Sequence, residues 1–167
     1  EAPIRLFIMG ANQWRDEYEW PLARTEWRKW FLHSEGNSNS VMGNGLLTVD
    51  APGDESSDHY TYDPRYPVQT VGGNNCCSPH ILPWGPHDQR PVEARSDVLC
   101  YTSEPLESDL ELTGPIKLVL YAATDGPDTD WTGKLVDVSP DGYAKNLCDG
   151  IIRARYRKSF TEPELLE

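Results

Sequence analysis

WTGKLVDVSPDGYAKNLCDGIIRARY, residues 131–156, decides the fold. At its centre, Ser139-Pro140-Asp141-Gly142 is turn chemistry: proline presets φ, aspartate bonds back to its own backbone and glycine accepts a left-handed conformation. The flanking arms, 131–138 and 147–156, read as the two strands of a hairpin. In the second arm Ile152, Ala154 and Tyr156 alternate with Arg153, Arg155 and Arg157. This predicts an inward apolar row and an outward basic row, the period-2 pattern of an antiparallel sheet with one buried face. In a chain of net charge −12 the arginine row is expected to pair with carboxylates on a neighbouring strand and not to form an anion site.

Working outward, short strand-like runs recur along the chain. Residues 3–9 form an apolar run closed by Gly10, and 14–20 mixes aromatics and carboxylates before Pro21. Residues 26–33 place Trp27 and Phe31 on one face, Trp30 and Leu32 on the other. Runs at 45–50 and 58–62 flank the turn Ala51-Pro52-Gly53-Asp54, and 97–103 follows. Residues 116–123 carry Ile116, Leu118, Leu120 and Ala122 on one face. Glycine and proline together number 27 of 167, above the usual ~12%. About eight short strands without an amphipathic helix or internal repeat predict an all-β chain, a β-sandwich of the jelly-roll kind.

The length fits one domain, residues 1–167. No apolar run approaches the roughly 18 residues of a helical membrane span, so no membrane partner is expected. With 15 Lys+Arg against 27 Asp+Glu the chain lacks the basic surplus that phosphate binding requires, which argues against a nucleic-acid partner. The start at Glu1, without a leader pattern, reads as a piece of something longer.

Residues 64–91 hold six prolines and Gly72-Gly73-Asn74-Asn75, and make one long loop. Loops beyond about 12–15 residues are commonly functional, so this loop is the best local pointer to a site. The adjacent Cys76 and Cys77 suit neither a disulfide framework nor the usual zinc spacing with His80 and His87; free thiols are expected, and no metal or cofactor. Cys100 and Cys148 read as small buried hydrophobes within strands. The compartment stays open, with cytoplasm weakly favoured by unpaired thiols.

Catalytic motifs are missing. There is no Gly-x-Ser-x-Gly elbow, phosphate loop or His-Glu-x-x-His pair, and His33, His59, His80 and His87 have no nucleophile at motif spacing. Asp125, Asp128 and Asp130 read as turn chemistry and not as a calcium loop. Six tryptophans leave two readings, a domain-contact surface or stacking platforms for sugar. The contact surface is preferred; the alternative is a free-standing carbohydrate-binding β-sandwich module.

Longer segments carry a resemblance. Ile4-Arg5-Leu6-Phe7-Ile8-Met9-Gly10-Ala11-Asn12-Gln13-Trp14-Arg15, Tyr62-Asp63-Pro64, Gly72-Gly73-Asn74, Asp88-Gln89-Arg90-Pro91-Val92-Glu93 and Asp149-Gly150-Ile151 with Arg153-Ala154-Arg155-Tyr156 occur in that order. Together they resemble the C-terminal, non-catalytic jelly roll of the cocaine esterase/X-Pro dipeptidyl-peptidase hydrolase family. The resemblance implies a galactose-binding-like sandwich serving as accessory domain to a serine acyl hydrolase or peptidase. The catalytic triad would lie in a separate α/β-hydrolase domain, so no catalytic residue is expected here and the chain alone should be inactive. It further implies that the loop after Gly72-Gly73 approaches the acyl pocket, with Asn74, Asn75, Cys76 and Cys77 as lining residues.

Family members continue beyond the Arg-Ala-Arg-Tyr strand, so the sandwich is expected to be incomplete at its C-terminal end. Strand exchange or a homo-oligomer would then complete it. A monomer by light scattering with a melting transition above about 60 °C, high for mesophile domains, would overturn that expectation.

Overall fold

The computed structural model describes residues 1–167 apart from Cys77 and Pro79. Among the described residues six strands form three antiparallel pairs. β1 (Ile4–Ile8) pairs with β2 (Gln13–Glu17), β3 (Phe31–His33) with β4 (Leu46–Thr48), and β5 (Asp130–Val138) with β6 (Ala144–Arg153). Helical content is one turn, α1 (Arg90–Glu93), and one 3-10 turn at Ala154–Tyr156. The chain is an all-β sandwich, as the alternation predicts.

The hairpin forms around its turn, with the second arm at Ala144–Arg153 and not at the 147–156 expected from the sequence. Gly142 N–H bonds to Ser139 O (2.8 Å) and Ser139 N–H to Tyr143 O (2.9 Å), with Gly142 at a φ of +81° that favours glycine. Between Leu135↔Cys148 and Val136↔Asn146 the register slips, leaving Leu147 as an extra residue in β6. Such a bulge bends the strand and re-aims its side chains. It sits beside the cleft described below.

Three sequence expectations change here. The alternation of burial expected in the second arm does not form: Cys148 to Arg153 are all exposed, Ile152 included, and past Arg153 the bonds from Ala154 N–H to Thr129 O (2.8 Å) and from Arg155 N–H to Asp128 (2.9 Å) turn the chain off the ladder. Residues 97–103 join the fold through single bridges, Asn39↔Leu99 and Leu46↔Thr102, and not as a continuous strand. Residues 58–62 and 116–123 form no strand. In the latter, Ile116, Leu118 and Val119 remain more than half exposed. Leu118 covers Gly133 of β5, where a Cβ would come within 2.5 Å of its Cδ2. Period-2 alternation needs a hydrogen-bonded neighbour to become a strand, and among the described residues no backbone bond reaches this segment.

Polar knots hold the loops. Asp58 accepts from Ser34 Oγ (2.7 Å), the backbone N–H of fully buried Ser38 (2.8 Å) and Tyr101 Oη (2.7 Å). Burial pushes its carboxyl up, but these bonds outweigh it and hold the pKa below the ordinary aspartate value. Arg15 grips Glu111 with two donors (3.1 and 2.6 Å) and approaches Glu17 (2.6 Å), which also pairs with Arg24. The hydrogen bonds from Arg15 and Thr113 pull Glu111 down to about 2. That pairing supports the fold above the unfolded carboxylate pKa of about 4.3 and is lost as pH falls towards 2.

The apolar core is thin. Leu22, Val92, Ala144 and Ala154 are the buried apolar residues among those described, and the accessible surface is 13,070 Å². A compact monomer of 18.9 kDa exposes about 8,300 Å².

Asp58→Ala strands the buried Ser38 N–H without an acceptor and should cost about 2 kcal/mol. Chemical denaturation of both forms measures it. The gap should close as pH falls below the ordinary aspartate pKa, since Asp58 contributes only while ionised.

Candidate functional site

The loop 64–91 is drawn onto the hairpin by close backbone approach. Gly73 and Gly85 exchange two backbone hydrogen bonds (2.7 and 3.0 Å), and a Cβ on Gly72 would fall 2.5 Å from Gly85 O. Gly72 also holds a φ of +67°, so glycine is required there on both counts. The result is a cleft of about 360 Å³ whose wall includes Gly73, Asn74, Pro86, Asn146, Cys148 and Asp149. Met9, at the β1–β2 turn, and Pro86 are shared with an adjoining hollow that reaches Phe7 and Lys145.

Gln89 anchors the cleft from behind and is 1% exposed. Its Nε2 donates to Val71 O (2.9 Å), His87 O (3.1 Å) and Asn146 Oδ1 (3.2 Å), while its Oε1 accepts from Lys134 Nζ (2.8 Å). Its backbone N–H bonds to Ala144 O (2.7 Å). An ammonium only donates, so Lys134 fixes the Gln89 oxygen towards itself and the amide nitrogen towards Asn146. Asn146 Oδ1 also receives the His87 N–H (2.7 Å). Desolvation lowers the Lys134 pKa, against the opposing pull of Asp149 and Glu93. Burial raises the Glu93 carboxyl, with Asp88 adding to it.

The four residues marked from the sequence separate. Asn74 lines the cleft. Asn75 turns inward and its Nδ2 donates to Gly72 O, closing the loop on itself. Cys76 is disulfide-bonded, which corrects the expectation of a free thiol there. Cys77 lies outside the described residues. Cys100 and Cys148 are free. Cys100 is half-buried and burial pushes its thiol up to about 11, whereas Cys148 is exposed at the cleft instead of buried, because the bulge at Leu147 carries it outward. Asn146 and Asp149 were missed as cleft residues. The Asp149-Gly150 block marked the neighbourhood, but a bulge has no composition signature.

One cluster outside the cleft has the outline of a catalytic triad: Thr48 Oγ1 lies 3.2 Å from His33 Nε2, and His33 Nδ1 lies 2.6 Å from Glu55 Oε1. It is a clamp. His33 Nε2 is also 2.9 Å from the Asp50 carbonyl, which only accepts, so that nitrogen carries a proton and is no base for Thr48. The Glu55 hydrogen bond, then the Asp50 carbonyl, raise the His33 pKa. The charged clamp is therefore complete below the usual histidine pKa of about 6.5 and is lost as pH rises through the higher folded value.

Of the arginine row, Arg153 pairs with a carboxylate on the neighbouring strand, Asp130 (2.8 Å), as expected; Arg155 instead meets Asp128 ahead of that strand (2.5 Å) and Arg157 meets Glu164 in the C-terminal tail (2.9 Å). Asp128 and Asp130 are thereby committed to cations of the chain itself. Trp14, Trp20, Trp27, Trp30 and Trp84 all stay exposed. Trp14 packs edge-on against Phe7 with ring centres 5.3 Å apart, and Trp131 meets Tyr60 at 6.5 Å.

A family profile described as the X-Pro dipeptidyl-peptidase C-terminal non-catalytic domain matches residues 1–167. The chain belongs to that family. Cocaine esterase of Rhodococcus sp. (strain MB1 Bresler) is 46% identical over 164 residues, covering 98% of this chain and 28% of its own length. An aminopeptidase crystal structure from a marine sediment Thaumarchaeota archaeon aligns at a TM-score of 0.72 and 26% identity, covering 99% of this chain and 28% of that one. The X-Pro dipeptidyl-peptidase C-terminal domain thus accounts for the whole chain, which spans about a quarter of the length of these relatives.

Gln89→Ala should destabilise the fold by about 2 kcal/mol, because it leaves Val71 O without its donor and empties a buried position behind the cleft. The Lys134→Met/Gln89→Leu double variant should recover part of that loss in a denaturant titration, since it removes both ends of the pair.

Proposed function

We propose that this chain is the accessory sandwich of a serine acyl hydrolase or peptidase, packed on an α/β-hydrolase domain and lending its 71–86 loop to the wall of that domain's acyl pocket. The reaction would be serine attack on an ester or amide carbonyl, an acyl-enzyme, and hydrolysis by water. Every reacting group would come from the hydrolase domain. The chain's part is to exclude water, shape the pocket and hold two domains in register.

The observation that carries this reading is the surface. At 13,070 Å² it is roughly 1.6 times what a compact monomer of this mass exposes. The difference is more than one subunit covers even in large obligate dimers, which bury about 2,000–5,000 Å² counted over both partners. A body that embraces the chain over a wide area fits better than a second copy. Phe7, Met9, Trp14, Trp20, Trp27 and Trp30 supply aromatic and flexible apolar contacts of the kind enriched at interface centres. Family membership points the same way, and the hydroxyl–histidine pair of this chain is disarmed by the Asp50 carbonyl.

The test compares the 167-residue chain with the product of its complete reading frame on p-nitrophenyl esters. The longer product should turn over and be silenced by a fluorophosphonate, and the chain should stay at buffer rate. Asn74→Trp in the longer product should raise KM for bulky acyl groups more than it lowers kcat. Fluorophosphonate-sensitive turnover by the chain alone would overturn the assignment. So would a reading frame without a serine hydrolase domain together with millimolar or tighter binding on a glycan array, which would select the carbohydrate-binding alternative.

A further inference from the structure

We propose that the cleft over Gly73 binds a neutral amide group carried on an aliphatic carbon. Asn146 is 3% exposed and its Oδ1 is already held by the His87 N–H and Gln89 Nε2. The amide is therefore locked with Nδ2 turned to the cleft, where no described residue accepts from it. Across the opening stands the Asp149 carboxylate, likewise without a hydrogen bond or ion pair among the described residues. A Cβ placed on Gly73 would lie 3.1 Å from Asp149 Oδ2 and 3.7 Å from Asn146 Nδ2. One fixed donor and one acceptor thus converge within 4 Å of a single point, and glycine at a φ of +91° keeps that point empty.

An amide answers both groups at once: its carbonyl accepts from Asn146 Nδ2 and its N–H donates to Asp149. A carboxylate would meet Asp149 as a like charge, and a ketone would leave Asp149 unanswered. Lys134, the cross-strand neighbour of Asp149, attracts it electrostatically but bonds to Gln89, so Asp149 stays available to a hydrogen-bond donor. Met9, Pro86 and Leu147 add an apolar wall for the alkyl portion. This site goes beyond the accessory role and does not depend on it, because its polar groups all come from this chain.

The probe is 3-methylbutanamide, titrated by calorimetry into the protein expressed from its complete reading frame. Cys148, free and exposed at the cleft, reports position through its rate of modification by N-ethylmaleimide, read by mass spectrometry. The amide should bind and slow modification of Cys148. The isosteric 4-methylpentan-2-one, 3-methylbutanoate and 3-methylbutylamine should each bind at least about tenfold more weakly, the loss expected when a charged or fixed partner goes unanswered. Asp149→Ala, at an exposed position, should keep the melting temperature and lose at least about tenfold in amide affinity. Equal binding of the ketone or the amine would overturn the proposal. So would unchanged affinity in Asp149→Ala, or an unprotected Cys148 at saturating amide. None of these results bears on the esterase comparison above, so the two readings fail separately.

Discussion

The hydrogen bond from Lys134 to Gln89 sets the orientation of everything behind the cleft. An ammonium has three donors and no acceptor, so one 2.8 Å contact decides which end of Gln89 faces the hairpin. Gln89 in turn decides Asn146, and Asn146 decides which chemistry the cleft presents. The side chain of the same glutamine reaches Val71 O and His87 O, and its backbone N–H reaches Ala144 O, so the long loop and the hairpin are tied through one buried residue. A leucine in that place would fill the space and leave the loop without a register.

Asp58 plays a comparable part at the other side of the chain, where it gathers Ser34, Ser38 and Tyr101. The stability of both regions therefore rests on satisfied polar groups more than on apolar burial. Four small or medium apolar side chains are buried among the described residues, while most of the large ones face outward. Such a chain gains little from the hydrophobic effect acting on its own interior. Its outward aromatic and aliphatic surface is the energy available for packing against another body, and that body, in the reading proposed here, is a hydrolase domain.

Much of the architecture was legible because strands and turns write themselves locally. The Ser139-Pro140-Asp141-Gly142 turn fixed the β5–β6 hairpin, and the apolar run closed by Gly10 marked β1. Arg153 found its cross-strand carboxylate, Asp130, whereas Arg155 and Arg157 paired off the ladder. Legibility failed where pairing depends on a distant partner. Residues 116–123 alternate as cleanly as any strand yet have no ladder among the described residues, and 97–103 joins by single bridges. Asn74, which lines the cleft, was marked through the family resemblance of the segment around Gly72-Gly73. Asn146 and Asp149 were not, because a one-residue bulge at Leu147 re-aims both.

The sequence by itself determined the all-β class, the family and the hairpin around its turn. These follow from period-2 alternation, turn chemistry and ordered motif blocks, all of which act over a few residues. Only the tertiary structure decided that His33 is a clamp and not a base, that Cys148 faces the cleft, and that Asn146 presents a donor there. Each of those depends on what stands opposite: a carbonyl at 2.9 Å, an extra residue in a ladder, an ammonium two side chains away. Hydrogen-bond polarity passes through space from group to group, and the order of residues along the chain carries no record of it.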